Sequence, residues 1–206
     1  MADLMVKGVI FDLDGTLVTS SLDFALIKAQ VGCDRDADLL EYVESLPSPY
    51  MREEAMALIH QHEMQDAQHA EPIAGVTETL SFLKSIGMPL AIVTRNYSKA
   101  ARLKLERCRL ELDLMLTRED ALPKPDPQAL HMVADSWSLP YQQCVYVGDY
   151  KYDIEAARRA SMHACLFAPV GLPDYAEQAD IIIERFTDLP AALGLHQRVQ
   201  TGQLVG

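Results

Sequence analysis

Asp12, Asp14 and Thr16 stand at alternate positions, with Gly15 between the last two. In extended backbone, residues two apart project to the same side, so Asp12 and Asp14 are expected to face one site. Gly15 allows a sharp turn and brings backbone N–H groups close to a ligand. Two carboxylates, exposed N–H groups and a hydroxyl suit a metal ion holding a phosphate. The plainer role for the same residues is to cap the following helix.

Further along the chain come Thr94-Arg95-Asn96, then Lys124 in Lys124-Pro125-Asp126-Pro127, then Gly148-Asp149 with Asp153 four residues on. Each has an ordinary explanation when taken alone. Thr94 and Asn96 are good helix caps, with Asn96 expected at the head of a helix reaching about Arg107. Lys124 is an ordinary loop lysine, although the prolines around it stiffen that loop. Asp149 caps a helix, and Asp153 is a first-turn acid favoured by the helix dipole. What joins them is position, because these groups follow successive strand signals.

Those signals are short apolar runs at 8–11, 90–93, 112–116, 144–147 and 163–167, with a last edge strand expected at 181–183. Helical patterns lie between them, at 76–86, 96–107, 126–137 and 153–159. Alternating strands and helices imply an α/β protein, a Rossmann-like parallel sheet with helices on both faces. Ligands in such sheets sit beyond the strands' C-terminal ends. The interval after the first strand is too long for a simple connection. It carries three helical stripes, around Leu22–Ala29, Leu39–Leu46 and Met51–His62, with Pro47-Ser48-Pro49 breaking the second from the third. The expected organisation is a core of residues 1–18 and 72–206 and a small helical cap of residues 19–71. The last ten residues or so, with Gly202 and Gly206, read as frayed.

The 206 residues and a hydrophobic fraction near one half allow one proper core plus an insertion. A formal net charge of −12 argues against a nucleic-acid partner. No stretch is long enough to span a membrane, and the N-terminal apolar run is too short for a signal peptide. Cys33, Cys108, Cys144 and Cys165 show no C-x-x-C spacing and read as reduced, mostly buried thiols of a cytoplasmic protein. Nothing specifies an oligomeric state. Residues 19–71 hold eleven acids against three bases, Lys28, Arg35 and Arg52. Such a lid is expected to disfavour heavily phosphorylated ligands, unless its acids face outward or the two arginines turn inward.

The four groups, Asp12-Leu13-Asp14-Gly15-Thr16, Thr94, Lys124 and Gly148-Asp149 to Asp153, resemble the motifs of the haloacid dehalogenase (HAD) superfamily. The likeness is to its phosphatase branch with a small helical cap, close to phosphoglycolate phosphatases and β-phosphoglucomutases. The resemblance implies an aspartate nucleophile at Asp12, an acid/base at Asp14, and phosphate contacts from Thr94 and Lys124, with Gly15, Thr16, Arg95 and Asn96 about the substrate. It implies Mg²⁺ held by Asp12, the Asp14 carbonyl and Asp149. Asp153 is either a ligand of a metal-bound water or a support for Lys124. An aspartate nucleophile divides one hard phosphoryl displacement into two easier ones. Lys124 offsets crowded acids, while Asp14 gives a proton to the leaving oxygen and later takes one from water.

Arg95 directly follows Thr94, where the family usually has asparagine, and Tyr150 stands where a small hydroxyl residue is common. Arg95 is either a substrate contact or a surface ion pair. The acid at Asp14 disfavours the dehalogenases and excludes the transporting ATPases. The expected activity is Mg²⁺-dependent hydrolysis of a small phosphorylated metabolite. A phosphomutase shares the same motifs and stays open, whereas a receiver-like signalling module has its acids on separate strands. His62, Asp66 and His69 share a helix face, which reads as solvated surface before it reads as a metal site. Met51 and Met56 read as packing within the helical segment.

Overall fold

The structure is a computed structural model and describes residues 5–195. The tail expected to fray lies outside the described residues. Six strands form one parallel sheet: β1 (Gly8–Phe11), β2 (Leu90–Val93), β3 (Leu114–Leu116), β4 (Cys144–Gly148), β5 (His163–Phe167) and β6 (Ile181–Ile183). Their order is β3-β2-β1-β4-β5-β6, so the chain reverses its direction of travel across the sheet between β1 and β4. That reversal is where a crevice opens beyond the strand ends in a doubly wound sheet.

Strand residues alternate between two cores, as the pleat requires. Val9, Phe11, Leu90, Ile92, Val145, Val147, Cys165 and Phe167 face one side, where α4 (Val76–Ser85), α5 (Ser98–Cys108) and α8 (Leu189–Ala192) pack. Ile10, Ala91, Val93, Cys144, Tyr146, Ala164 and Leu166 face the other, against α6 (Gln128–Ser136) and α7 (Lys151–Arg159). All four residues of β1 are buried, which is why that run is apolar throughout instead of alternating. The four cysteines are free and buried. Among the described residues no helix is long and apolar enough to cross a membrane.

Between β1 and α4 stand α1 (Phe24–Val31), α2 (Leu39–Ser45) and α3 (Pro49–Ala67). Asp23, Asp38 and Ser48 cap them, each side chain accepting backbone N–H groups of the first turn. Pro49 therefore opens α3, the one helical position where a missing N–H costs nothing. Ile27, Cys33, Leu39, Val43, Ala55 and Ile59 form a separate small cluster, with Met56 packed against it. Met51 instead is exposed. The third helix runs beyond its apolar stripe because its last turns bury Glu63 and Asp66, whose partners lie elsewhere in the chain.

Several boundaries differ from expectation, among them the start of α6 at Gln128 in place of 126. A bend at Asp113 shortens β3. Helix α5 starts at Ser98 and not from Asn96, whose side chain is engaged with Asp14. Helix α7 starts at Lys151, ahead of Asp153, whose carboxylate folds back to accept the Tyr150 N–H at 2.9 Å.

Candidate active site

Beyond Phe11 the chain still follows β4, with the Asp12 N–H donating to the Val147 carbonyl at 2.8 Å. It then coils tightly: the N–H groups of Leu17 and Val18 both donate to the Leu13 carbonyl, at 2.9 and 3.0 Å. Gly15 holds φ at 78° within this coil, and a Cβ there would lie 2.5 Å from Asp149 Oδ2. Glycine is needed twice over, for its backbone region and for the approach of the acid. Gly148 meets a similar demand, since a Cβ would stand 2.3 Å from Asp153 Cγ. These two absences let the ends of β1 and β4 bring Asp12, Asp149 and Asp153 together.

Lys124 sits among those acids, 5 % exposed, donating to Asp12 Oδ1 at 2.7 Å, Asp153 Oδ1 at 2.6 Å and the Tyr146 hydroxyl at 2.7 Å. The Tyr146 hydroxyl in turn donates to the Val93 carbonyl at 2.7 Å. Burial favours the neutral lysine, yet the adjoining Asp12 and Asp153 outweigh it and hold Lys124 protonated. Burial pushes the Asp12 carboxyl up to about 8, opposed by Lys124 and reinforced by Asp153 and Asp149. Asp149 rises to about 6 through burial and the charge of Asp153, with the Thr16 hydroxyl opposing at 3.1 Å. With all three acids ionised, the one lysine leaves two negative charges too many. Ligand oxygens of Asp12, Asp149 and Asp153 all lie within 4.8 Å of one another. Hard carboxylate donors with that excess charge fit a divalent cation such as Mg²⁺.

Asp14 belongs to a different environment, although it is only two residues away. Asn96 Nδ2 donates to its Oδ2 at 2.8 Å, and Lys104 Nζ donates to its Oδ1 at 2.5 Å. Burial raises the Asp14 carboxyl and Lys104 opposes. Thr94, also buried, accepts the Asn96 N–H on its hydroxyl at 3.1 Å, so Thr94 and Asn96 brace one turn.

Arg95 is the ion pair of the two alternatives, and its partner lies in the helical insert. Its guanidinium donates to both oxygens of Asp38, at 2.8 and 2.7 Å, and lies over the Tyr152 ring. Against the burial that pushes it up, Arg95 holds the Asp38 carboxyl below its ordinary range. Two more bridges join the insert to the rest. Arg118 grips Glu63 with two nitrogens at 2.6 and 2.7 Å, and Lys104 Nζ reaches Asp66 Oδ2 at 2.6 Å. His60 stacks on Tyr97, centroids 3.8 Å apart. Asp66 is therefore turned away from His62, which meets Gln30, and no His62–Asp66–His69 cluster forms among the described residues. Nor do Arg35 and Arg52 make an inward patch: Arg52 donates to the Leu46 carbonyl within the insert, and Arg35 is exposed. An apolar groove lined by Lys7, Met88, Pro89 and Trp137 opens at the strands' other ends and shares no residue with the acids.

Lys104, Tyr146, Arg118, Glu63 and Asp38 were invisible as site residues in the sequence. The one available signal concerned Lys104, which falls three residues after buried Ala101 and four before buried Cys108, on the inward face of α5.

A doubly wound sheet with acids, a buried lysine and a hydroxyl gathered at its switch point defines an α/β enzyme with its site at the strand ends. The chain belongs to the haloacid dehalogenase-like hydrolases, whose family pattern it matches over residues 27–167. That stretch includes Thr94, Lys124, Asp149 and Asp153 and begins after the Asp12 turn. A haloacid dehalogenase-like hydrolase domain-containing protein of Arabidopsis thaliana is 30 % identical over 182 residues, covering 82 % of this chain and 74 % of that one. A phosphoglycolate phosphatase of Photobacterium profundum is 28 % identical, covering 89 % and 94 %. Among solved structures, a predicted phosphoglycolate phosphatase from Haemophilus somnus shares the fold with a TM-score of 0.72 at 22 % identity, over 91 % and 97 % of the two chains.

Proposed function

We propose that this hydrolase is a Mg²⁺-dependent phosphatase of a small phosphomonoester, working in the cytoplasm through an aspartyl-phosphate on Asp12. The carrying observation is the separation of two neighbouring acids into two environments. Asp12 lies with Lys124, Asp149 and Asp153, and Asp14 with Lys104 and Asn96. Acids held apart in this way are the ordinary arrangement for dividing nucleophile from acid/base.

In the first step an Asp12 oxygen bonds to phosphorus as the P–O bond to the leaving group breaks. The proton of Asp14 passes to the departing oxygen, and Lys124 offsets charge on the transferring group. In the second step water attacks that phosphorus, Asp14 takes the water's proton, and the Asp12–phosphorus bond breaks. Asp12, Asp149 and the Asp14 carbonyl would hold Mg²⁺, with Asp153 steadying Lys124. The ion supplies charge neutralisation for the phosphate oxygens. Thr94, Gly15 and Thr16 line the place of the phosphate. Residues 19–71 act as a cap over the strand ends, a reading supported by the three ion pairs that reach residues following β2 and β3 and on α5. The four buried thiols support a reducing compartment.

Phosphate release from a panel of monophosphates, with and without Mg²⁺, tests this. Asp12→Asn abolishes turnover and leaves no phosphoenzyme by mass spectrometry after rapid quench. A folded, fully active Asp12→Asn overturns the proposal.

A further inference from the structure

Lys104 is the least expected side chain in the molecule. It is fully buried, at 0 % exposure, on a helix otherwise rich in exposed charge. Lysine is almost never so placed unless paired. Its ammonium stands between two carboxylates from distant parts of the chain, Asp14 Oδ1 at 2.5 Å and Asp66 Oδ2 at 2.6 Å. Each of those carboxylates is tied down on its other side. Asn96 Nδ2 holds Asp14 Oδ2, and the Asn96 side-chain Oδ1 itself accepts the Tyr97 N–H at 2.9 Å. Asp66 accepts the Ser21 N–H at 2.7 Å, the Ser21 hydroxyl at 3.0 Å and the Ser20 hydroxyl at 2.8 Å. Asp66 is thus a fixed post, and Lys104 is the strut from that post to Asp14.

We infer that Lys104 is a positioning residue for Asp14, and that Asp66 of α3 fixes the position of Lys104, so the aim of Asp14 depends on how the helical insert is seated. The inference rests on the reading of Asp14 as the acid/base. With one donor on each oxygen, from Asn96 and Lys104, the carboxyl plane cannot rotate without losing a bond. Lys104 touches neither the Asp12 cluster nor the place of the phosphate, so its effect passes through Asp14. A small misplacement of a reacting group is enough to slow a reaction greatly.

The test separates aim from mere stability by varying the leaving group. p-Nitrophenyl phosphate departs without needing a proton, whereas an alkyl monophosphate requires one. Lys104→Met keeps the stem and removes the ammonium. It is expected to lose on the order of 100-fold in kcat/KM on the alkyl ester and only a few-fold on the aryl ester. Lys104→Arg restores part of the difference. Asp66→Asn, which keeps one acceptor oxygen, turns the other into a donor and so loosens the post, shifts the same ratio by less and serves if Lys104→Met does not fold. Asp14→Asn is measured beside them. An equal loss on both esters in Lys104→Met and Asp66→Asn, with a steep leaving-group dependence in Asp14→Asn, overturns the inference and leaves the acid/base reading standing. No leaving-group dependence in Asp14→Asn removes that reading, and the inference with it.

Discussion

The excess charge at the acid cluster has a measurable consequence for pH and Mg²⁺. Asp12, Asp149 and Asp153 outnumber Lys124 by two charges in a place that water scarcely reaches. Without a cation, Asp12 rises to about 8 and Asp149 to about 6, both from an ordinary value of 3.8. A carboxyl raised in the folded state binds more protons there than in the unfolded chain between the two values. The metal-free protein is therefore least stable above about pH 8 and gains stability as pH falls toward the ordinary carboxylate range. One excess proton corresponds to on the order of 1 kcal/mol per pH unit. Asp38 and Asp66, held low by their cation partners, lose stability only at or below the ordinary carboxylate range, outside this window. Mg²⁺ at about one hundred times its dissociation constant adds ~2.7 kcal/mol. For a chain of this size that is a rise of roughly 5–10 °C in Tm. The rise should be larger near pH 8 than near pH 6, where the ion must displace protons. Thermal melts of chelator-treated protein across pH, with and without saturating Mg²⁺, give the answer. Asp149→Asn removes one negative charge and should flatten both the pH slope and the Mg²⁺ shift. A metal-free Tm that climbs from about pH 6 to 8, or a Mg²⁺ shift unchanged in Asp149→Asn, refutes the reasoning.

Arg118→Leu strands Glu63 in a buried place and should cost about 3–5 kcal/mol by denaturant unfolding; a cost under about 1 kcal/mol would mean that the pair is solvated. Gly148→Ala drives a methyl into the Asp153 carboxyl, and should cut kcat at least tenfold with the secondary structure intact by circular dichroism; wild-type kcat would mean that Asp153 can move without consequence. Three of the eleven acids in residues 19–71, Asp38, Glu63 and Asp66, are neutralised by core cations. The remaining imbalance is still acidic, so a monophosphate should be preferred over its bisphosphate analogue in kcat/KM, by a margin that shrinks with salt; a bisphosphate preferred at low salt overturns this.

The sheet was legible because its strands are short apolar runs that stop at acids, as at Phe11-Asp12 and Gly148-Asp149. Their shared end of the sheet followed from strand and helix alternation alone. Position after successive strands placed Thr94 and Lys124 at the same end of the sheet, and their roles needed the family resemblance, since neither residue differs locally from a cap or a loop lysine; of the two, only Lys124 pairs with the acids. Asn96 looked like a helix cap because Asn is good at that task, yet its amide goes to Asp14 and the helix starts after it. Asp66 was read with His62 and His69 as solvated surface, and Lys104, Arg118 and Glu63 gave no signal of their own, because each lies in a helix or loop of mixed polarity. Their burial comes from contacts 38 and 55 residues apart in the chain. Periodicity reports which face of an element is apolar, and a buried ion pair leaves that pattern looking polar.

The helical insert leaves and rejoins the core through two segments laced together by backbone. Val18 pairs antiparallel with Pro72, the Thr19 N–H donates to the Glu71 carbonyl at 2.8 Å, and the Ile73 N–H donates to the Leu17 carbonyl at 3.0 Å. To the sheet, fifty-odd residues therefore look like a hairpin turn: two ends arriving side by side, whatever lies between them. Loop-closure entropy grows only slowly with the length of chain enclosed, so the neck is nearly indifferent to what it carries. A graft with its own small core and the same end spacing could take the place of these three helices without altering strand register. It would inherit two cations stripped of their acids, Arg95 and Arg118, and a third, Lys104, left with Asp14 alone, and a successful graft would have to supply acids to meet them.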